Sequence, residues 1–365
     1  MNQQTRARAL ALARDENSKT SLAKPLKTGR RAALADVSNT QKINSKKSVL
    51  DEKPRIPEKK LHVAPNETAP MSIDDIPIAE KHDSHEETIR KARVPHDDLD
   101  IDDEFDPFMS SAYVEEIMDY LKHLEGKMKP DPMYMTYQRD LTWEMRSILV
   151  NWMTEVHWKF RLLPETLYLS INIMDRFLTE RIVGVQKFQL VGIVALLVAS
   201  KYEEILAPSI QNLVYLASEG YKPEDVTKGE NYVLDVLGYS LGCPTPMIFL
   251  RRISKAEGYD IQTRTIAKYL MEITLLDNEF LFFTPSMIAA AAVWLARKML
   301  HRGPWNNNLI HYSGYFEDEV LPCVQLLIKS LSKPHEYDII YKKYSSRKFL
   351  KASIFVHDFI SKNYK

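Results

Sequence analysis

Cysteine is almost absent from this chain. Only Cys243 and Cys323 occur, 80 residues apart, which excludes a disulfide framework and a cysteine zinc site and fits a reducing compartment. Aromatic residues are missing from the first 104 positions; all 36 lie at or after Phe105. A stretch that long without an aromatic ring cannot build an ordinary core. Net charge is also absent, with 49 basic against 49 acidic side chains, so no global field points to nucleic acid or a membrane surface. No run of 18 apolar residues occurs, and no membrane span is expected. Met1–Arg14 lacks the apolar block of a secretory signal; its Arg–Ala alternation has weak presequence character, cut short by Asp15 and Glu16. Neither G-x-G-x-x-G, G-x-x-x-x-G-K-S/T, G-x-S-x-G nor H-E-x-x-H occurs.

What is present is unevenly spread. Residues 1–60 carry 15 Lys and Arg against 6 Asp and Glu, and residues 61–106 carry 4 against 14. Residues 1–104 therefore read as a disordered regulatory arm with an acidic second half acting as a solvated spacer. Residues 105–142 read as an N-terminal helix and linker. Val114, Ile117, Met118, Leu121 and Leu124 recur at helical spacing, and Gly126, Pro130 and Pro132 end the pattern.

From Trp143 onward the expected fold is all-α. Helix-length segments are predicted at Trp143–Phe160, Pro164–Thr179, Val185–Leu206, Ile210–Leu216 and Lys222–Leu237. A second set is predicted at Thr245–Glu257, Gln262–Leu276, Pro285–Met299, Glu317–Leu331 and near Lys348–Lys362. The sets resemble each other: "YLSINIMDRFL" from Tyr168 compares with "YLMEITLLDNEFL" from Tyr269, and "VALLVASKYE" with "AAAVWLARKM". A period near 100 residues implies duplicated helical domains, residues 143–242 and 243–365. In each set one helix, Gln189–Ser200 or Ser286–Leu295, is apolar nearly all round and must be surrounded by the others. The expected architecture is two tandem five-helix bundles, each with a buried hub.

No catalytic constellation emerges. His157 lies two residues from Glu155, a spacing that puts the two on opposite faces, and reads as structural. Asp175 sits in an apolar helix and reads as half of a buried ion pair, with Arg146 as the candidate partner. Glu203 and Glu204 read as solvated. On the Trp143–Phe160 helix, Met145, Ile148, Leu149 and Trp152 form one apolar stripe and Val150, Met153 and Val156 another. One stripe can face the bundle; the other is either further core or an exposed partner site.

The segments "MRSILVNWMTEVHWKFRLLPETLYLSINIMDRFL", "FQLVGIVALLVASKYEEI" and "FLRRISKAEGYDIQTRTIAKYL" closely resemble a B-type mitotic cyclin of the fungal branch, over about Pro130 to Tyr364. The resemblance implies two five-helix cyclin boxes and a non-catalytic protein without cofactor or metal. Such a protein binds and activates a cyclin-dependent kinase and recruits substrates. It also implies roles for single residues. Lys201 and Glu230 match the kinase contacts, with Tyr202, Tyr239 and Leu241 at the same interface. Arg146 and Asp175 match an internal ion pair, and Leu190 a core position. Met145, Ile148, Leu149, Trp152, Glu155, Phe188 and Gln189 match a patch that captures short Arg-x-Leu-type substrate or inhibitor peptides. Asn151 stands where the family usually has Asp, and Phe188 where it usually has Leu.

Arg251, Arg264 and Lys268 match a phosphate pocket of B-type relatives. Arg264 and Lys268 are i and i+4 on one helix and point the same way. The alternative reading of these three, a solvated basic face, has equal weight. In the arm, Arg31, Leu34 and Asn39 match the destruction-box degron, which implies recognition by the anaphase-promoting ubiquitin ligase. Lys24, Lys27, Lys42, Lys46 and Lys47 could then accept ubiquitin. Basic clusters in the arm fit nuclear import, and the expected location is the nucleus, also the cytoplasm. The expected role is driving the cell cycle at G2/M or S/G2. Two rivals are a twin-bundle transcription factor of the promoter-binding type, which needs an open basic stripe on the second domain, and an enzyme on a helical bundle, which needs a metal or nucleophile.

Overall fold

The computed structural model describes residues 94–106, 109–217, 220–333 and 339–364. The degron residues Arg31, Leu34 and Asn39 and the arm lysines lie outside the described residues. Among the described residues there is no β-strand. Helix α1 spans Val114–Lys127. The first bundle comprises α2 (Trp143–Phe160), α3 (Pro164–Glu180), α4 (Val185–Glu203), α5 (Ile210–Leu216) and α6 (Pro223–Val236). The second comprises α7 (Pro246–Ala256), α8 (Ile261–Thr274), α9 (Pro285–Met299), α10 (Asn307–Ser313) and α11 (Glu317–Ser332). Two further helices follow, α12 (Ile339–Tyr344) and α13 (Ala352–Asn363).

Local chemistry sets these boundaries. Proline occupies the first turn of α3, α6, α7 and α9, where its missing N–H costs nothing. Thr142, Ser209, Asp260, Thr284 and Asn306 cap α2, α5, α8, α9 and α10 with side-chain oxygens. Helix α13 starts later than expected because Leu350 and Lys351 both adopt left-handed backbone, φ 54° and 56°, which breaks the helix.

The duplication is visible in element lengths: in each bundle a long apolar third helix is followed by a seven-residue fourth helix. The hub α4 packs against α2, α3, α5 and α6. Its segment Val191–Ser200 is buried throughout. Among the described residues α4 alone is long and apolar enough to cross a membrane, yet protein surrounds that segment. The hub α9 packs against α7, α8 and α11, and α10 leans on α7 instead.

Three findings depart from the expectations. Residues 94–104 are not a solvated spacer, because specific hydrogen bonds and ion pairs hold them on the second bundle. Helices α10 and α12 were not expected, and α10 completes the second five-helix set while α13 lies outside it. Helix α1 is not separate from the body: Met118 and Leu121 pack on the second core. Its Glu125 accepts from Ser286 N at 2.8 Å and Ser286 Oγ at 2.5 Å, at the start of α9. Burial pushes the Glu125 carboxyl up, and the Ser286 bonds only partly offset this.

Candidate functional site

Lys201 lies in the last turn of α4, where a cation complements the helix dipole. Its Nζ donates to Glu230 Oε1 on α6 at 2.6 Å. The lysine side chain is 49% exposed and the glutamate 12%. Glycine makes the approach of the two helices possible. A Cβ on Gly229 would lie 2.9 Å from Val194 Cγ2. An exposed pair of this kind contributes at most about 1 kcal/mol to stability, so its placement calls for another reason. Nζ carries three donors, and Glu230 takes one.

Bulky side chains follow both helices of the pair along the chain, and Tyr202 Oη reaches Gly242. Tyr202 and Tyr239 are exposed, Leu241 is half-buried against the first core, and Ile205 and Leu206 are 100% and 86% exposed. Tyr239 follows Gly238, both in left-handed backbone, and donates to Asp235 Oδ1 at 3.0 Å. Arg176 donates to Ser240 O at 2.9 Å and pins that turn. Sequence reasoning named Lys201, Glu230, Tyr202, Tyr239 and Leu241 but missed Ile205 and Leu206. The helix predicted over Val185–Leu206 stops at Glu203, which leaves Ile205 and Leu206 outside it; the only signal was two adjacent bulky residues just before Ala207 and Pro208. Large apolar side chains left exposed near an ion pair are what a protein partner site offers.

Behind this surface Arg146 and Asp175 form a buried bidentate pair, Nε to Oδ1 at 2.8 Å and Nη2 to Oδ2 at 2.7 Å. Tyr134 donates to the same Oδ1 at 2.8 Å, a third member with no sequence cue. Burial opposes the guanidinium charge, but Asp175 outweighs it and holds the Arg146 pKa above its usual value. Arg146 Nη1 also donates to Leu275 O in the second bundle, at 2.9 Å. Glu204 is not merely solvated: its Oε1 accepts from Leu163 N at 2.7 Å and Thr166 Oγ1 at 2.6 Å, capping α3. Leu190 is half-buried on the first core.

Helix α2 divides its two stripes. Val150, Met153 and Val156 are buried, Ile148 is exposed, and Met145 and Trp152 are half-buried. Leu149 and Phe188, assigned to the same patch, are buried. Leu149 packs on Gly192, where a Cβ would come within 3.0 Å of its Cδ1. Glu155 pairs with Lys159 at 2.7 Å, Gln189 is half-buried at the far side, and Asn151 Oδ1 is buried without a partner.

On the second bundle, Arg251 is ion-paired with Glu165 of the first. Arg264 Nε is buried without a partner. Lys268 is half-buried; burial lowers its pKa, and the nearby Arg264 and Arg251 charges add to this. Arg251 bonds Glu165, and Lys268 lies within reach of the charges of Arg264, Arg251, Glu165 and Glu272. His157 is buried with Nε2 2.9 Å from Leu163 O; burial first and the Lys343 charge second keep it neutral. Among the described residues no group of three His, Cys, Asp or Glu could hold a metal.

Comparison with known proteins gives this scaffold its class. Residues 116–242 match the family model "Cyclin, N-terminal domain" and residues 244–358 match "Cyclin, C-terminal domain". The chain belongs to the cyclin family. More particularly, it is 55% identical over 267 residues to the G2/mitotic-specific cyclin cdc13 of Schizosaccharomyces pombe, covering 73% of this chain and 55% of that one. It is 43% identical to the G2/mitotic-specific cyclin cig2 of the same yeast, covering 96% of this chain and 86% of that one. It is 42% identical to the G2/mitotic-specific cyclin-B of Emericella nidulans, covering 96% and 73%. A viral cyclin from herpesvirus saimiri shares the fold, with TM-score 0.54 and 20% identity over 60% of this chain and 97% of that one.

Proposed function

We propose that this cyclin is a non-catalytic regulatory subunit that binds and activates a cyclin-dependent kinase and recruits substrates at G2/M or S/G2. The observation that carries this reading is the Lys201–Glu230 ion pair, its lysine half exposed, together with the exposed Tyr202, Ile205, Leu206 and Tyr239 that follow its two helices. A kinase is active when its αC glutamate pairs with the ATP-orienting lysine. An ammonium and a carboxylate at a rigid bundle edge can bind the backbone at the ends of a mobile helix by charge-assisted bonds. Binding only the active conformation shifts the kinase population toward it. An interface of about 2,000 Å² or more suits such a lasting partner. Ile117 and Tyr120 on α1, and Tyr113 in the turn just before it, are exposed and extend the candidate surface.

The Met145–Ile148–Trp152 patch is the proposed dock for substrate peptides, and the Arg251, Arg264 and Lys268 cluster for phosphorylated ones. Removal through the Arg31, Leu34 and Asn39 degron by the anaphase-promoting ligase, and nuclear residence shared with cytoplasm, complete the reading. Lys201→Ala with Glu230→Ala should abolish activation of the kinase partner in a reconstituted assay while far-UV circular dichroism stays helical. Normal activation by that double variant overturns the role of the pair. The promoter-DNA reading has less support. Arg252 and Lys255 face Asp100, Arg297 faces Glu257 and Arg302 faces Asp260, which leaves no open basic stripe among these four.

A further inference from the structure

The acidic segment ahead of α1 is seated in a groove of the second bundle as a ligand would be. Backbone and side chains both take part. Asp97 N donates to Asn308 Oδ1 at 3.0 Å, and Asn308 Nδ2 donates back to Asp97 Oδ2 at 2.9 Å. Leu99 N donates to Tyr312 Oη at 2.8 Å. His96 stacks on His311 with centroids 3.5 Å apart. Asp100 is the keystone: Arg252 Nη1 lies 2.6 and 2.7 Å from its two oxygens, and Lys255 Nζ 2.5 Å from Oδ1. Lys255 also pairs with Asp103 Oδ2 at 2.5 Å. Tyr312 backs the Arg252 guanidinium, 4.2 Å from ring centroid to Cζ. The two cations are only 9% and 10% exposed. Burial would raise the Asp100 carboxyl, but the bonds and charges of Arg252 and Lys255 prevail and hold it below its usual value.

The groove on α7 and α10 is therefore an anion-binding surface with a defined pattern. It offers two cations, an aromatic backing and two backbone-reading side chains, Asn308 and Tyr312. It is distinct from the Arg251 cluster, because successive helical residues point about 100° apart and Arg251 turns to Glu165. We propose that this groove is a docking site for acidic peptides, and that residues 96–103 are its built-in occupant, which closes it to ligands in trans. A tethered occupant acts at an effective concentration on the order of millimolar, so free peptide at about 100 µM should not displace it. Release of the segment opens the groove.

The test uses the full chain and a fluorescent peptide of sequence HDDLDIDDEF. In hydrogen exchange, the amides of Asp97 and Leu99 should be protected in the wild type and exchange at least tenfold faster in Asp100→Asn/Asp103→Asn. The peptide should ignore the wild type and bind the released variant. That binding should fall at least tenfold when Arg252→Ala/Lys255→Ala is added, and also at about 0.5 M salt, where charges are screened within about 4 Å. A peptide with all its Asp replaced by Asn should not bind. Equal exchange in wild type and variant overturns the proposal. So do equal peptide binding by both, no binding by the released variant, and binding that survives the loss of Arg252 and Lys255.

Discussion

At the scale of single residues, two buried groups make sharp claims. The Arg146–Asp175 pair is inaccessible and fully bonded, so removing one partner strands a charge. Asp175→Asn should cost about 3–5 kcal/mol in urea unfolding, whereas truncating exposed Lys159, paired with Glu155 on the surface, should cost under about 0.5 kcal/mol. His157 is kept neutral by burial, with its pKa below 6.5. The unfolded chain takes up that proton near the ordinary value and the folded chain only at lower pH. Stability is therefore full above about pH 6.5 and declines as pH falls below it. His311, pushed down to about 4 mainly by burial, acts in the same direction. Between about pH 7 and 5.5 the melting temperature should fall, and His157→Gln should fall less over that interval. An equal fall in both would remove His157 from the account.

At the scale of elements, close approach of helices matters more than their propensity. Gly229→Ala gains about 1 kcal/mol of helix propensity but drives a methyl into Val194, an overpacking cost of about 1–3 kcal/mol. The net should be a loss of about 0–2 kcal/mol. The shift of α6 should displace Glu230 from Lys201, so kinase activation should drop several-fold even at temperatures where the variant stays folded. Much of this level was legible in the sequence. The long helices announced themselves by apolar period, first-turn prolines and capping side chains, and the repeat of "YLSINIMDRFL" exposed the duplication. Helices α10 and α12, at seven and six residues, complete barely two turns and show no period. The acidic strap was misread as solvated because its partners, Arg252 and Lys255, lie about 150 positions further along the chain. Phe188, expected to form part of the patch, is buried, since spacing along α4 does not reveal how closely Leu149 and Gly192 meet.

At the scale of the whole molecule, the two bundles are joined by more than a linker. Arg146 donates to Leu275 O, and Ser147 Oγ donates to Leu276 O at 2.7 Å. Helix α12 packs on both α2 and α8. Lys343 on α12 places Nζ 2.8 and 2.7 Å from the two Glu272 oxygens, and Tyr344 Oη donates to Glu272 Oε1 at 2.7 Å, all buried. Calorimetry of the wild type should show a single transition. Lys343→Ala leaves the buried Glu272 without a counter-charge, its remaining bond coming from Tyr344, which should cost about 3–5 kcal/mol and separate the melting of the two bundles into two steps. One merged, unshifted transition in that variant would rule out α12 as the strut.

The turn of α2 that sends Met145 and Ile148 outward also sends Arg146 and Ser147 inward to the carbonyls of the second bundle. The proposed peptide-docking face of the first half therefore takes its stiffness from its twin. A fragment ending before Cys243 could stay helical yet grip peptides poorly, because the backbone beneath the groove would have lost its anchor.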